Sequence, residues 1–297
     1  MESSKAVLLI GGTGKVGRKL TALFKDTSIP TFKASRNGEF TTEPVATNIK
    51  SVAFDWENQT TWSSALEKSN PCSVYLVAPQ FLDMLPPMQA FIDMARSKGV
   101  KRFVLLSGTR LDPDINGLAI GRVHAYLEQL GAAGQVEWAS LRPTWFQQNL
   151  AEQPWHVKSI QEENSFYSAT GEGKIPWIST VDIAACAFEL LTQDEAPNSE
   201  YLLLGPELLS YNQIADILTE VVGRKIVHKD ISAEELDERR SVFGMPRDYA
   251  QMVSSLDTDI KKGSEDRLNN VVEEMTGKPP GKFRDFAEQN KHVWIRG

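Results

Sequence analysis

The sequence predicts an α/β fold: a doubly wound parallel sheet followed by a smaller C-terminal lobe on the substrate side. Three observations predict it. Apolar runs of strand length alternate with amphipathic helical segments through the first half of the chain, the first run ends in a glycine turn, and the alternation loosens beyond residue 147. With 297 residues, 41% of them apolar and 24% charged, the chain can bury such a core.

The first element is "VLLIGGTGKVG", Val7 to Gly17. Ala6 to Ile10 is continuously apolar, as a parallel strand covered on both faces requires. The following "KVGRKLTALFK" places Val16, Leu20, Leu23 and Phe24 on one helical face. Strand, glycine turn and helix form a Rossmann-type dinucleotide cradle. Gly11 makes the tight turn, Gly14 lets a pyrophosphate approach backbone N–H groups, and Gly17 permits close helix packing. Gly12, Thr13, Lys15 and Val16 complete the candidate cradle, and the helix N-terminus supplies its positive end. Three glycines also suit a plain turn, so the elements that follow must decide.

The second strand, 31–34 in "PTFKASRNG", carries Ser35 and Arg36 at its carboxyl end, where the adenosine ribose is read. An acidic residue there would favour NAD. An arginine accommodates a 2′-phosphate, so the expected cofactor is NADP(H). Strands then follow in "SVAFDW" (51–56), "SVYLVAP" (73–79), "RFVLLSG" (102–108) and "VEWASLRP" (136–143), separated by the helical "NQTTWSSALEKS", "MQAFIDMARSKG" and "GLAIGRVHAYLEQLG". Ligands of such sheets lie outside the carboxyl ends of the strands. Asp55, Trp56, Ala78, Pro79, Ser107 and Pro143 therefore join the candidate cofactor site. Asp55 either accepts from the adenine amino group or forms a strand-end turn.

Residues 1–150 are read as the NADP(H)-binding core and 151–297 as a mixed substrate-binding lobe. Within the lobe, a helix over 181–192 and a strand over 200–204 place 181–205 back on the sheet. "YSATGEGKIPWIST" reads as a long loop or short strands, 211–222 as a helix, and short polar helices follow from about 232.

Several classes are excluded. The formal net charge of −7 and the scattered Lys and Arg residues offer no surface for nucleic acid. Cys72 and Cys186, far apart, give neither a disulfide framework nor a metal site. No apolar stretch reaches membrane-spanning length and the amino terminus lacks a signal-peptide pattern, so a cytoplasmic protein, monomer or homodimer, is expected.

Ordinary short-chain dehydrogenases donate a proton from a tyrosine with a lysine four residues later. None of the six tyrosines meets that test. Tyr126 is followed by Leu130, and Tyr75, Tyr167, Tyr201, Tyr211 and Tyr249 by Pro79, Gly171, Gly205, Ala215 and Val253. The helix of Tyr126 instead offers His124 and Glu128 at i and i+4, a candidate proton shuttle with its orienting carboxylate, or else a packed histidine. Ser107 is the third candidate catalytic group, placed to bond substrate or the nicotinamide carboxamide. It is no hydrolase nucleophile, because "LLSGT" is not a Gly-x-Ser-x-Gly elbow. For the substrate, Gln80 and Thr109 follow two strand ends, and "RPTWFQQN" supplies Trp145, Phe146 and Asn149. Trp145 and Phe146 either cover an apolar or cationic substrate or pack in the core, and Trp177 is expected at the same cavity.

"GGTGKVG", "VAFDW", "SVYLVAP", "RFVLLSG", "LRPTWFQQN", "FYSATGEGKIPWIS" and "YLLLGPELLSYNQIADILTEVVGRKI" together resemble the NmrA-like branch of atypical short-chain dehydrogenases, specifically the fungal ergot-alkaloid festuclavine and agroclavine dehydrogenases. The resemblance runs nearly end to end. It implies a Rossmann fold, NADP(H), and reduction of an iminium within a prenylated indole alkaloid. It also leaves open a redox-coupled ring-forming enzyme, in which substrate oxidation and cyclisation precede hydride return, and a non-catalytic NADP(H) sensor. "APQFLDMLPP" and "GTRLDPDING" depart from the ergot pattern in segments expected to border the substrate. An iminium is already electrophilic and becomes a neutral amine on receiving hydride, which makes a Tyr/Lys acid unnecessary.

Overall fold

A computed structural model describes residues 6–38 and 47–295. The chain divides into two compact units, residues 1–142 with 183–202, and residues 143–182 with 203–297. The boundary thus falls at residue 142 rather than 150. Residues 144–150 are held by second-unit partners, Thr144 N–H donating to Leu203 O and Gln147 N–H to Ile178 O.

The elements of the N-terminal stretch are β1 (Val7–Leu9), α1 (Lys15–Phe24), β2 (Thr31–Ser35), β3 (Ile49–Ala53), α2 (Gln59–Ser69), β4 (Ser73–Val77), α3 (Leu85–Ser97), β5 (Arg102–Leu106), α4 (Ala119–Ala132) and β6 (Glu137–Pro143). There follow α5 (Asn149–Glu152), α6 (Pro154–Glu163), β7 (Ser165–Ser168), β8 (Lys174–Ile175), α7 (Thr180–Thr192) and β9 (Ser199–Leu203). The remainder holds β10 (Leu209–Ser210), α8 (Tyr211–Val222), β11 (Val227–Asp230), α9 (Ala233–Val242), α10 (Arg247–Lys261), α11 (Val271–Thr276) and α12 (Phe283–Asn290).

In the first unit, seven strands form one sheet in the order β3-β2-β1-β4-β5-β6-β9. The ladders from β3 through β6 are parallel. β9 runs alongside β6 in the same sense: Trp138 N–H meets Asn198 Oδ1 before its start, and Thr144 N–H meets Leu203 O at its end. The order reverses at β1, flanked by β2 and β4, which is the topological switch point where open α/β sheets bind ligands. β1 is buried throughout, and β4 and β5 except at their last residue, because helices cover both faces of a parallel sheet. α1 buries Val16, Leu20 and Phe24, but Leu23 from the same predicted face is 39% exposed. The third strand ends at Ala53 rather than 56, since Asp55 closes a turn: its Oδ1 accepts from Glu57 N–H and its backbone bridges to Asn58.

Arg102, first residue of β5 and 5% exposed, explains how the segment 183–202 joins this unit. Its guanidinium donates to Glu137 Oε2 at 2.7 Å and to the carbonyls of Leu190, Gln193 and Glu195 at 3.1, 2.5 and 3.1 Å. The last carbonyls of a helix lack intrahelical donors and favour a cation. Arg102 meets both needs at the end of α7.

The second unit packs around Leu150, Ile160, Phe166, Trp177, Tyr211 and Ile214, with α12 contributing Phe283 and Phe286. Two small sheets border this core: antiparallel β10-β8 and parallel β11-β7. "YSATGEGKIPWIST" thus contains the end of β7 and all of β8. α8 starts with a reciprocal Ser210/Gln213 capping box and stops at Gly223, whose φ of 78° suits glycine. No helix among the described residues is long and apolar enough to cross a membrane.

Arg102→Met removes the donor for Glu137 and the α7 carbonyls together. We expect a loss of roughly 3 kcal/mol in unfolding free energy, read by urea denaturation.

Candidate functional site

Parallel strands side by side bring their carboxyl ends to one edge, so the turns after β1 to β5 share it. Gly11 (φ 77°) turns the chain where an added Cβ would meet Val77 Cβ of β4 at 2.8 Å. Gly12 N–H donates to Leu9 O and Gly14 N–H to Gly11 O, tightening the turn. At Gly12 an added Cβ would lie 2.5 Å from Lys33 Cγ, and at Gly17 it would lie 2.2 Å from Gly11 O. Gly14 is the N-cap of α1 with no side-chain cap, and no acidic residue occupies the first turn. Thr13 and Gly14 are exposed, Lys15 is half-buried and Val16 is buried. The N–H groups of Val16 and Gly17, at N2 and N3, have no intrahelical acceptor and sit at the positive end of the helix. Glycines that admit no Cβ and a helix start without an anion of its own fit a nucleotide pyrophosphate.

Ser35 ends β2 with its Oγ buried and without a partner among the described residues, and Arg36 next to it is exposed. Beyond β3, Asp55 has the turn-forming role described above. Trp56 donates its indole N–H to Val77 O at 3.1 Å and meets Phe54, Trp62 and Phe91 in edge contacts of 4.9 to 5.9 Å. This aromatic cluster anchors the turn after β3 beside the end of β4, where half-buried Ala78 and Pro79 are followed by exposed Gln80. At the end of β5, Ser107 N–H donates to Leu141 O at 2.8 Å, while its Oγ is buried with no partner. Both hydroxyls, buried and without a partner among the described residues, stand at strand ends.

Arg142, near the end of β6 and 5% exposed, was not singled out by the sequence patterns. It donates to Gly108 O (3.3 Å), Thr109 O (3.0 Å), Asp112 Oδ1 (2.5 Å) and Glu200 Oε2 (2.8 Å). One buried guanidinium therefore fixes the turn that follows Ser107, including buried Thr109. The available signal was an arginine inside the apolar run "WASLRP": buried there, it had to find acceptors. Pro143 follows it as the last residue of β6.

His124 is fully buried on α4, its ring 5.5 Å from that of Trp138. Its Nε2 is 3.5 Å from Glu200 Oε2, yet neither ring nitrogen makes a hydrogen bond. That separation is too long and misaligned to count as one. Burial holds the imidazole down at about 4, against the opposing pull of Glu200. Glu128 is exposed and makes no hydrogen bond or ion pair with His124, so the expected shuttle-and-orienter pair does not form. The i, i+4 stripe runs across the border of the buried face, and His124 falls inside it while Glu128 falls outside. Tyr126 gives its hydroxyl to Asp93 at 2.6 Å, and burial together with Asp93 raises its pKa.

The remaining substrate candidates lie in the second unit. Trp177, 1% exposed, donates its indole N–H to Leu209 O and packs edge-on against Tyr211 at 5.0 Å. It belongs to the core, which corrects its assignment to a substrate cavity. Trp145 is half-buried and packs against that same core, Phe146 bridges to Ile178, and Asn149 opens α5.

The NmrA-like family model matches residues 3–287. Festuclavine synthase II of Penicillium roqueforti is 42% identical, covering 97% of this chain and 99% of its own. Agroclavine dehydrogenase of Claviceps fusiformis is 41% identical over 97% and 98%. Among solved structures, the Citrobacter triphenylmethane reductase complexed with NADP(H) superposes with a TM-score of 0.75 at 18% identity, covering 96% of this chain and 99% of its own. At that identity the likeness concerns the fold.

His124 faces Glu200, Arg142 and Asp112. A native pKa near 4 lies below the unfolded value, so between about pH 6.5 and 4 the unfolded chain binds a proton that the folded chain refuses. Stability falls as pH drops through that window, with His124 contributing up to about 1.4 kcal/mol per pH unit. His124→Phe should flatten the acid limb of a stability–pH profile measured by denaturation. An unchanged limb would show that His124 titrates normally.

Proposed function

The chain belongs to the NmrA-like family, and we propose that it is an NADP(H)-dependent oxidoreductase that reduces an iminium, or a similarly activated C=N or C=C bond, in a prenylated indole alkaloid. The observation that carries this reading is identity of 41–42% over nearly the whole length with a festuclavine synthase and an agroclavine dehydrogenase. The geometry of the first unit supports it. Residues Gly11 to Gly17 would hold the pyrophosphate, Ser35 and Arg36 the 2′-phosphate, and Ala78, Pro79 and Ser107 would border the nicotinamide end. When bound, NADPH supplies the hydride.

The chain's own residues have a restricted task. Arg142 holds the 108–112 turn in place beside Ser107, whose free hydroxyl can orient a polar group. Proton delivery is not asked of them: the Tyr126 hydroxyl is committed to Asp93, and His124 is neutral and buried at ordinary pH. An acceptor that is already cationic needs no proton to take hydride, so positioning accounts for most of the catalysis.

Two measurements test the reading. Arg36→Ala should weaken NADPH binding about tenfold or more, the loss of a charge-assisted contact, while NADH affinity stays nearly unchanged. Equal losses for both nucleotides would remove Arg36 from the 2′-phosphate. Wild-type protein incubated with a prenylated indole iminium and NADPH should consume one nucleotide per amine formed. Cyclised product without net NADPH consumption would identify a redox-coupled ring closure instead, and nucleotide binding without turnover of any such substrate would identify a sensor.

A further inference from the structure

Helix α6 buries His156, Ser159 and Ile160, of which Ile160 joins the core of the second unit. Another stripe of the same helix, Trp155, Lys158 and Glu162, follows an i, i+3, i+7 spacing, and so do Leu236, Arg239 and Phe243 at α9. These two stripes, with Tyr167 of β7, line a cavity of about 220 Å³. Its walls are aromatic: the Trp155 and Phe243 rings lie 6.3 Å apart, and Phe243 remains 40% exposed. The guanidinium of Arg239 is centred 3.6 Å from the middle of the Tyr167 ring, which fixes a charge in place without neutralising it.

Among the described residues, two polar groups here make no hydrogen bond or ion pair. The indole Nε1 of Trp155 is buried and donates to nothing. A buried unpaired donor is unfavourable, and an acceptor reaches this one only if the ring turns. Arg239, exposed on α9, makes no ion pair among the described residues, and Glu163, which lines the same space, accepts from the Tyr167 hydroxyl. The cavity therefore combines apolar ring walls with an exposed guanidinium fixed on the Tyr167 ring.

We propose that this cavity binds a small, flat, apolar carboxylate, its ring system held by Trp155 and Phe243 and its anion facing Arg239. The volume lies below the roughly 300–1,000 Å³ of sites for drug-sized molecules, which limits the ligand to one or two rings. The lining carries Lys158 and Arg239 against Glu162 and Glu163; the guanidinium stacked on Tyr167 is the charge assigned to the ligand's anion, and the neutral and cationic counterparts of the probe test that assignment. The inference stands independently of the proposed reduction, and its test requires neither nucleotide nor turnover.

The probe is 2-naphthoate, titrated calorimetrically into the full-length protein, with 2-naphthalenemethanol and 2-naphthylmethylamine as neutral and cationic counterparts and inorganic phosphate as a bare anion. The expected result is saturable equimolar binding of 2-naphthoate with a Kd below about 1 mM. Affinity should fall about tenfold or more for the alcohol and in Arg239→Gln, and severalfold in Trp155→Phe, with thermal unfolding of both variants unchanged. The proposal is overturned by absence of saturable binding, by equal affinity for the amine, by displacement with phosphate alone, or by wild-type affinity in both variants.

Discussion

The close contact between α1 and the turn after β1 is the constraint on which the first unit depends. A methyl group at Gly17 would lie 2.2 Å from Gly11 O and 2.7 Å from Gly12 Cα, distances at which backbone must move. Without that methyl, the helix starts directly against the strand end and its uncapped N–H groups stay at the sheet edge. The same economy of volume recurs at Gly12 against Lys33 and at Gly11 against Val77. Because β1 lies between β2 and β4, the turn stands where the strand order reverses, and the ends of β2 to β5 are arranged around it.

Two buried arginines hold the far side of the same sheet. Arg102 opens β5 and Arg142 comes near the end of β6, so they stand at opposite edges of adjacent strands. Neither can leave its charge unsatisfied in the interior. Arg102 gathers the carbonyls that end α7, and Arg142 gathers Glu200 of β9 with the carbonyls of Gly108 and Thr109. The segment 183–202 is therefore fastened at both edges to strands that precede it by many residues. Arg142 does more, since the loop that it fastens carries Ser107 and Thr109. One side chain thus links the edge of the sheet to the geometry of a candidate active-site turn.

The parts of this structure legible in the sequence are those governed by local chemistry. Gly11, Gly14 and Gly17 sit between an apolar run and an amphipathic helix, and for Gly11 and Gly17 the structure supplies the steric reason that the pattern predicts. Alternating strands and helices likewise give the parallel sheet, and its carboxyl ends follow from that. What was not legible depends on distant partners. His124 and Glu128 satisfy a helical spacing, yet the spacing cannot say which of the two faces the interior, and the carboxylate nearest His124 comes from Glu200 on another strand. Trp177 sits in a stretch with the look of a cavity wall, but Leu209, Tyr211 and Phe283 close around it and make it core. Arg142 was printed in plain view within "LRPTWF", and only the positions of Asp112 and Glu200 reveal its role.

The polar groups of the first unit bear on which substrates such a site can reduce. Tyr75 is fully enclosed and its pKa is raised by burial, Tyr126 is bound to Asp93, and burial keeps His124 unprotonated near neutrality. A carbonyl reduced here would end as an alkoxide needing a proton, and these three groups are poorly placed or poorly poised to give one. Ser107 can donate a hydrogen bond but has no base or acid behind it among the described residues, where its Oγ has no partner. A substrate that brings its own positive charge avoids the difficulty, because hydride addition discharges it. Under the proposed reduction, the burial that disarms these groups favours electrophiles activated before they arrive, and selectivity becomes a matter of shape and orientation more than of proton transfer.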